Sequence, residues 1–320
     1  MYYYHLCQCK GFNKYHTNYA NFLDVNFRRR KDWKLTQNKD KADYCDCPKL
    51  KNPKIEDRFL SLAWFTKKKY LAKILADTNF YPTTYQKLGG KLYSMNDSKN
   101  AIQINDEKGK WFIKPNFDHS GNQIQVSSSL SKAFGNAKDS MIIQRGIEPK
   151  LIRGRKFDLR LYALGVVDNG NINFYLYKNG YCRLSSKKYD KTKLDRNSNL
   201  TNICVHIKIA NPKNIFIMYK DWNGYPDTFP EITNISTELF RRMGKDLDKN
   251  YRGIIVMGLD VMIDEEGKPW ILEINNKLGS KLSPYSKKFR DIHNRMYNQM
   301  MNLLFPGSGK TDNWQFLVRT

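Results

Sequence analysis

Two apolar, β-rich runs of the sequence flank a polar turn centred on Glu266-Gly267. This pattern is typical of a β-hairpin. A symmetric loop about the turn places Asp260 opposite Glu273, and Asn275 shares a strand face with Glu273. Paired carboxylates repel each other unless a cation neutralises them, and Mg²⁺ prefers such oxygen ligands. The pattern therefore fits either a metal site or a hairpin with acidic residues on a solvated face.

A strictly alternating segment predicts a strand from Arg155 to Leu164. Its apolar face carries Phe157, Leu159, Leu161 and Ala163, and its other face carries Lys156, Asp158, Arg160 and Tyr162. A face of this kind occurs on solvent-facing strands with cross-strand ion pairs, and it also occurs in clefts that bind polyanions. The segments 173–178 and 180–184 predict a further hairpin that places Arg183 on a neighbouring strand.

Upstream, the pattern predicts shorter elements. Thr66 is placed to cap a helix that carries Tyr70, Leu71, Ile74 and Leu75 on its apolar side. A short strand ends at Lys114 and leads into a polar loop with a glycine, an arrangement that can bind phosphates through a cation and backbone N–H groups. Downstream, Ser286 opens a helix whose methionines recur at helical spacing, which indicates core packing.

Composition narrows the class of partner. The chain has 320 residues, of which 40% are hydrophobic, so it can bury a core. Its formal net charge of +24 favours an anionic partner such as an acidic protein tail, nucleic acid or a membrane surface. Neither an N-terminal signal segment nor an apolar run long enough to cross a bilayer is visible, so we expect a cytoplasmic protein that does not use a membrane.

Four of the six cysteines form two Cys-x-Cys pairs, Cys7/Cys9 and Cys45/Cys47. Zinc sites commonly use a Cys-x₂₋₄-Cys spacing, so the match is poor. We therefore interpret these residues as reduced thiols, with a zinc site as the alternative.

Several motifs, taken in order, resemble those of the tubulin–tyrosine ligase family, which includes ligases that add tyrosine, glutamate or glycine and has the ATP-grasp fold. The matching stretches are Trp111–Pro115, Ile142–Ile147, Gly154–Tyr162, Leu200–Asn202, Gly258–Asp260 and Leu272–Asn275. The resemblance covers residues 58–305 and departs from the family at Gly146, where an aromatic residue is common. It implies an α+β fold with mostly antiparallel sheets, flanking helices and a nucleotide between two subdomains.

The same resemblance implies a division of the chain. Residues 1–57 form a basic region of uncertain fold, 58–147 an N-terminal and central ATP-grasp subdomain, 148–306 a C-terminal subdomain with the metal site, and 307–320 a tail.

The resemblance also implies roles for single residues. The nucleotide-binding residues are Lys114, Gln144, Arg145, Gly146, Ile147, Lys156, Phe157, Asp158, Thr201 and Asn202, with Gln144 to Ile147 forming the hinge for adenine. Asp260, Glu273 and Asn275 bind Mg²⁺. Arg183 binds the carboxylate of the incoming amino acid, and Arg160, Lys156 and Glu273 are catalytic.

The implied reaction is ATP-dependent ligation of an amino acid to a protein through an acyl phosphate, with ATP and Mg²⁺ as cofactors. The expected partners are free tyrosine, glutamate or glycine and an acidic acceptor such as tubulin. Two alternatives stay open: the same chemistry on a small peptide or metabolite, and a non-enzymatic binder of nucleic acid or microtubules, which the sequence favours less.

Overall fold

The structure of the chain is a computed structural model. It describes residues 1–6, 23, 27–38, 41–45, 55–57, 63–97, 99–116, 121, 123–206, 211, 214–275, 287–305 and 310–320. Cys7, Cys9 and Cys47 of the zinc alternative lie outside these residues, as does most of the loop after Lys114. Cys45 is buried.

Twelve of the described strands form one large sheet. Its centre consists of β12 (Arg155–Asp168) and β16 (Gly253–Ile263), two long strands that pair in antiparallel orientation. The predicted hairpin is confirmed, since β16 pairs with β17 (Pro269–Asn275) and Asp260 lies opposite Glu273. The other antiparallel strands are β11 (Leu151–Ile152), β13 (Asn171–Tyr177), β14 (Tyr181–Leu184), β15 (Phe216–Met218) and β18 (Trp314–Arg319).

Four short strands from the first 57 residues extend this sheet as a parallel edge beside β16. They are β1 (Tyr2–His5), β2 (Trp33–Leu35), β3 (Tyr44–Cys45) and β4 (Ile55–Asp57). The pairing order is β16–β4–β3–β1–β2. Strands of two to four residues are too short to leave an alternating pattern, which is why the sequence predicted no fold here.

Six described strands form a second, antiparallel sheet in the order β7–β6–β5–β10–β8–β9. They are β5 (Thr84–Leu88), β6 (Lys91–Ser94), β7 (Ala101–Ile102), β8 (Lys108–Lys114), β9 (Gln125–Ser129) and β10 (Ile142–Arg145). The strand predicted to end at Lys114 is therefore present as β8, and it is a neighbour of β10 in this sheet.

Six α-helices are described. They are α1 (Lys68–Leu75), α2 (Leu130–Asn136), α3 (Arg196–Asn199), α4 (Ile203–His206), α5 (Tyr225–Met243) and α6 (Lys287–Leu304). None of them combines the length and the apolar character needed to cross a bilayer. The methionine stripe of α6 packs in the core, as predicted. The α+β prediction, with mostly antiparallel sheets and flanking helices, is confirmed.

Two hydrophobic layers cover the faces of the large sheet. Leu159, Leu161 and Ala163 of β12 contribute to one layer, together with α1 and α5. Tyr162 and Leu164 contribute to the other layer, together with α6 and the N-terminal strands. The polar residues of β12 are buried too, since Lys156 and Asp158 are 3% exposed and Arg160 is 7% exposed. The solvated interpretation of that face is therefore wrong.

Three local predictions are wrong. Thr66 does not cap α1, because a 3₁₀ turn occupies Ala63–Thr66 and Lys67 precedes the helix without a side-chain cap. β13 and β14 do not form a hairpin, since both pair with β12 at successive positions along one edge. The expected tail contains β18, which pairs with β13. The subdomain boundaries stay a prediction.

Candidate active site

A cleft of about 610 Å³, including its open mouth, lies between the small sheet and the polar half of β12. It is lined by Lys68, Phe112, Lys114, Ile124, Gln144, Arg145, Gly146, Ile147, Lys156, Asp158, Arg183, Asn199, Leu200, Thr201, Asn202, Asp260, Met262, Leu272 and Glu273. Most of the residues predicted for a nucleotide and metal site are therefore brought together here.

The connection after β10 carries the predicted hinge. Its Arg145 forms an ion pair with Glu107 at 2.5 Å. The N–H of Gly146 donates to the carbonyl oxygen of Lys110 at 2.7 Å. A Cβ atom at Gly146 would lie 2.8 Å from that oxygen. Since this contact is with backbone, a glycine is required for the hinge to pack against β8, and the departure from the family's aromatic residue has a steric reason.

The paired carboxylates lie at the centre of the large sheet. The amide nitrogen of Asn275 contacts Asp260 Oδ2 at 3.2 Å and Glu273 Oε1 at 3.1 Å. Burial, together with the charge of Asp260, raises the pKa of Glu273 above its usual range. Burial alone would also raise the pKa of Asp260, but Arg160 and Arg183 outweigh it and lower that pKa. Two carboxylates that compete for negative charge, with an amide beside them, form a donor set that fits Mg²⁺.

Two arginines lock the carboxylates of β12 and β16 in place. The Nε group of Arg160 donates to Asp260 at 2.5 Å. Arg183 donates to Asp158 through Nε at 2.7 Å and through Nη2 at 2.5 Å, and its Nη2 also lies 2.8 Å from Asp260. Thr201 adds a hydrogen bond to Asp158 at 2.8 Å. Bidentate, charge-assisted contacts of this kind hold side chains rigidly in a buried site.

Three lysines provide positive charge at the cleft wall. Lys68 Nζ lies 3.8 Å from Glu273. The ammonium of Lys114 donates to Gln144, and that of Lys156 lies 4.8 Å from the ring centre of Phe112. Burial lowers the pKa of Lys114 to about 8 and that of Lys156 to about 7. Neither of these two forms an ion pair with a described residue, so an anionic ligand would stabilise both.

Three predicted residues do not line the cleft. The side chain of Phe157 lies on the opposite face of β12, in the core, with its ring 5.0 Å from that of Trp222. A nucleotide contact by this side chain is therefore excluded. Arg160 lies directly behind Asp260 and donates to it. Asn275 does not reach the cleft itself but donates to Asp260 and Glu273, which line it.

The sequence analysis missed several residues of the site. Lys68 lies on the face of α1 that also buries Leu71 and Leu75. Because a lysine on an apolar helix face is unusual, Lys68 could have been recognised from the sequence as a candidate site residue. Asn199 is buried and accepts from Lys110 at 2.8 Å. The apolar walls, formed by Phe112, Ile124 and Leu200 on one side and Met262 and Leu272 on the other, had no signal in the sequence because they come from five separate segments.

Comparison with known proteins agrees with this arrangement. The model of the tubulin-tyrosine ligase family matches residues 55–308. Tubulin glycylase 3E of Tetrahymena thermophila is 24% identical over 248 residues, which covers 68% of this chain and 18% of the relative. The probable beta-tubulin polyglutamylase of the same organism is 27% identical, with coverage of 60% and 19%. Protein monoglycylase TTLL8 of Mus musculus is 24% identical, with coverage of 63% and 27%.

This chain thus spans less than a third of the length of each of these relatives. The match to the family model nevertheless includes the small sheet, eight of the twelve described strands of the large sheet, and the hairpin that carries Asp260 and Glu273. The chain belongs to the tubulin-tyrosine ligase family, and its α+β fold is of the ATP-grasp type.

Proposed function

We propose that this chain is an ATP-dependent ligase that joins an amino acid to a protein acceptor through an acyl phosphate. The observation that carries the proposal is the convergence of three lysines and two arginines on the buried carboxylate of Asp260 and the half-buried carboxylate of Glu273. The names of the three relatives favour glycine or glutamate over tyrosine as the amino acid, and two of the names favour tubulin as the acceptor. The net charge of +24 suits an acceptor with an acidic tail.

ATP fits this cleft in a defined direction. The adenine base would lie at the hinge, between the apolar walls that contain Phe112 and Leu272. Ile147 lines the cleft here, and its backbone groups would pair with the edge of the base. The triphosphate would lie toward Lys68, Lys114 and Lys156, whose ammonium groups are held by the protein before the ligand arrives. Positioned cations of this kind stabilise the charge that develops during phosphoryl transfer.

Mg²⁺ fits the donor set of Asp260, Glu273 and Asn275. When bound, it would neutralise phosphate charge next to the carboxylates. Asn275 now directs its amide nitrogen at both carboxylates, so its side chain would rotate to offer the oxygen.

The chemistry needs positioning rather than a side-chain nucleophile. A carboxylate oxygen attacks the γ-phosphorus of ATP, a P–O bond forms, and ADP leaves. The amine of the second substrate then attacks the acyl carbon, and inorganic phosphate leaves as the amine loses a proton. In both steps Lys156 would hold the phosphoryl oxygens and lower the energy of the developing charge, while Arg160, behind Asp260, would hold that carboxylate in position.

Arg183 has one edge available for substrate. Its Nε and Nη2 groups bind Asp158 and Asp260, whereas Nη1 makes no hydrogen bond to a described residue. A carboxylate of the amino acid would bind at Nη1. This geometry limits Arg183 to a single substrate contact rather than a bidentate one.

The test is incorporation of labelled glycine, glutamate or tyrosine into tubulin with Mg-ATP, with Glu273→Gln as the matched control. Incorporation of glycine or glutamate that the variant loses is the expected result. ATP turnover without label in tubulin, lost in the variant, would contradict the acceptor and point to a small peptide or metabolite. Absence of ATP binding, combined with salt-sensitive binding to RNA or DNA, would contradict the ligase and favour the non-enzymatic alternative.

A further inference from the structure

A chain of buried hydrogen bonds lies behind Lys114. The Thr84 hydroxyl donates to the carbonyl oxygen of Pro82 at 2.7 Å. The Gln144 side-chain amide donates through Nε2 to Thr84 Oγ1 at 3.0 Å. Gln144 Oε1 in turn accepts from the ammonium of Lys114. Thr84 and Gln144 are 7% and 2% exposed, so solvent does not compete for these groups.

The direction of this chain follows from counting protons. A threonine hydroxyl carries one hydrogen, and Thr84 donates it to the carbonyl oxygen of Pro82. Toward Gln144 it can therefore only accept, which turns Nε2 of Gln144 toward Thr84 and Oε1 toward Lys114. If the amide were rotated by half a turn, its NH₂ group would face the ammonium, and two donors would oppose each other without an acceptor.

We infer that Thr84 is a positioning residue of the nucleotide site, because its hydroxyl sets the amide orientation of Gln144 and thereby gives Lys114 its acceptor. The inference rests on the proposed function in one respect, namely that Lys114 binds phosphate. Thr84 itself does not line the cleft.

The surroundings of Lys114 explain why an acceptor matters. Burial, together with the charge of Lys68, lowers the pKa of this lysine to about 8, although Glu273 and Asp260 act in the opposite direction. The ring of Phe112 lies 5.8 Å from the ammonium. A lysine that is this close to losing its charge depends on each acceptor that stabilises the charged form.

The first experiment measures Mg-ATP affinity and steady-state kinetics on the full chain. Thr84→Val keeps the side-chain shape and removes the hydroxyl, whereas Thr84→Ser keeps the hydroxyl. We expect the valine variant to weaken ATP binding and raise KM for ATP about 5- to 10-fold, with a smaller change in kcat, and the serine variant to restore affinity. Thr233→Val is the matched control, since its hydroxyl donates to Phe229 within α5, far from the cleft.

A double-mutant cycle separates orientation from stability. Gln144→Met removes the amide, so the Thr84 hydroxyl has no amide to orient. The change Thr84→Val should therefore lower ATP affinity in the wild-type background and have no further effect in the Gln144→Met background. Equal costs in both backgrounds would show that Thr84 only supports local packing, and would overturn the inference.

A readout without nucleotide keeps the two proposals apart. Amine labelling of Lys114, followed by peptide mass spectrometry across pH, reports its charge state directly. Thr84→Val should shift this titration to lower pH, while Thr84→Ser and Thr233→Val should leave it in place. If the wild type binds no ATP but Thr84→Val still shifts the Lys114 titration, the proposed function is contradicted and the role of Thr84 is retained. A titration that does not move in Thr84→Val would overturn that role, whatever happens with ATP.

Discussion

Lys156 is expected to lower the stability of the protein when no nucleotide is bound. The side chain is 3% exposed, and burial, with the charges of Lys110 and Lys114, lowers its pKa from 10.5 to about 7. In the unfolded chain the same amine keeps its proton up to much higher pH. Folding at pH 7 must therefore either remove this proton or bury a charge. We predict that Lys156→Met stabilises the protein while removing its affinity for ATP.

The size of the effect follows from the two pKa values. Each pKa unit corresponds to about 1.4 kcal/mol, so lowering the pKa from 10.5 to about 7 costs about 4 kcal/mol of stability at pH 7. The contact of Lys156 with the Phe112 ring returns up to about 2 kcal/mol, and methionine loses it. The net expectation is that Lys156→Met raises the free energy of unfolding by about 2 kcal/mol at pH 7.

The dependence on pH identifies the cause. Between pH 7 and 10.5 the unfolded chain binds more protons at this site than the folded chain, so the stability of the wild type rises with pH. Lys156→Met has no ionisable group at this position, so its stability does not gain from this effect as the pH rises. The difference in free energy of unfolding between Lys156→Met and the wild type should therefore decrease by about 2 kcal/mol between pH 7 and pH 9, which leaves little difference at pH 9.

The assay is urea unfolding of both proteins at pH 7 and pH 9, followed by tryptophan fluorescence. Lys138→Met, at an exposed position, is the control and should change stability little at either pH. A parallel thermal scan with Mg-ATP should show a ligand-induced increase in Tm in the wild type and none in Lys156→Met. The reasoning is refuted if Lys156→Met is less stable at pH 7, or if its advantage is the same at both pH values.

Three further changes test other parts of the structure. Gly146→Ala should weaken ATP binding at least about 10-fold by calorimetry, because a Cβ atom would meet the backbone of Lys110, whereas Gly135→Ala has open space and should bind normally. Asp264→Ala should lower the free energy of unfolding by about 1–3 kcal/mol in urea, since its carboxylate accepts from Lys268 N at 2.7 Å and Trp270 Nε1 at 2.8 Å. Phe240→Ala should cost about 3–5 kcal/mol in the same assay, because its ring stacks on Phe174 in the core.

The parts of the site that were predictable share one property: they lie on long strands with a strong local pattern. Asp260 and Glu273 were paired from the sequence by a symmetric turn, but next to the turn Val261 lies opposite Ile271, and a register shift between Asp260 and Val261 brings Asp260 opposite Glu273. The alternation of β12 separated Lys156 and Asp158 from the core side. In β12 a two-residue period alone decides which side chains share a face.

The parts that could not be predicted depend on contacts between distant segments. β13 and β14 resemble a hairpin locally, but β12 is long enough to pair with both in succession, and only the folded sheet shows this. The resemblance assigned Phe157 to the nucleotide, although its position in the alternation placed it with the core residues. Thr84 stayed hidden because its role depends on a hydrogen bond to Gln144, 60 residues away.

Lys114 and Lys156 also give the cleft an adjustable charge. Six cations lie at the cleft or directly behind it, against four anions that contact them, which leaves a formal excess of two; the cations are Lys68, Lys114, Arg145, Lys156, Arg160 and Arg183, and the anions are Glu107, Asp158, Asp260 and Glu273. Since the pKa values of Lys156 and Lys114 lie at about 7 and about 8, the empty cleft carries less than this excess near neutral pH. Arrival of a polyanion would draw protons onto both amines, so the protein would gain positive charge in step with its ligand and avoid self-repulsion when the cleft is empty.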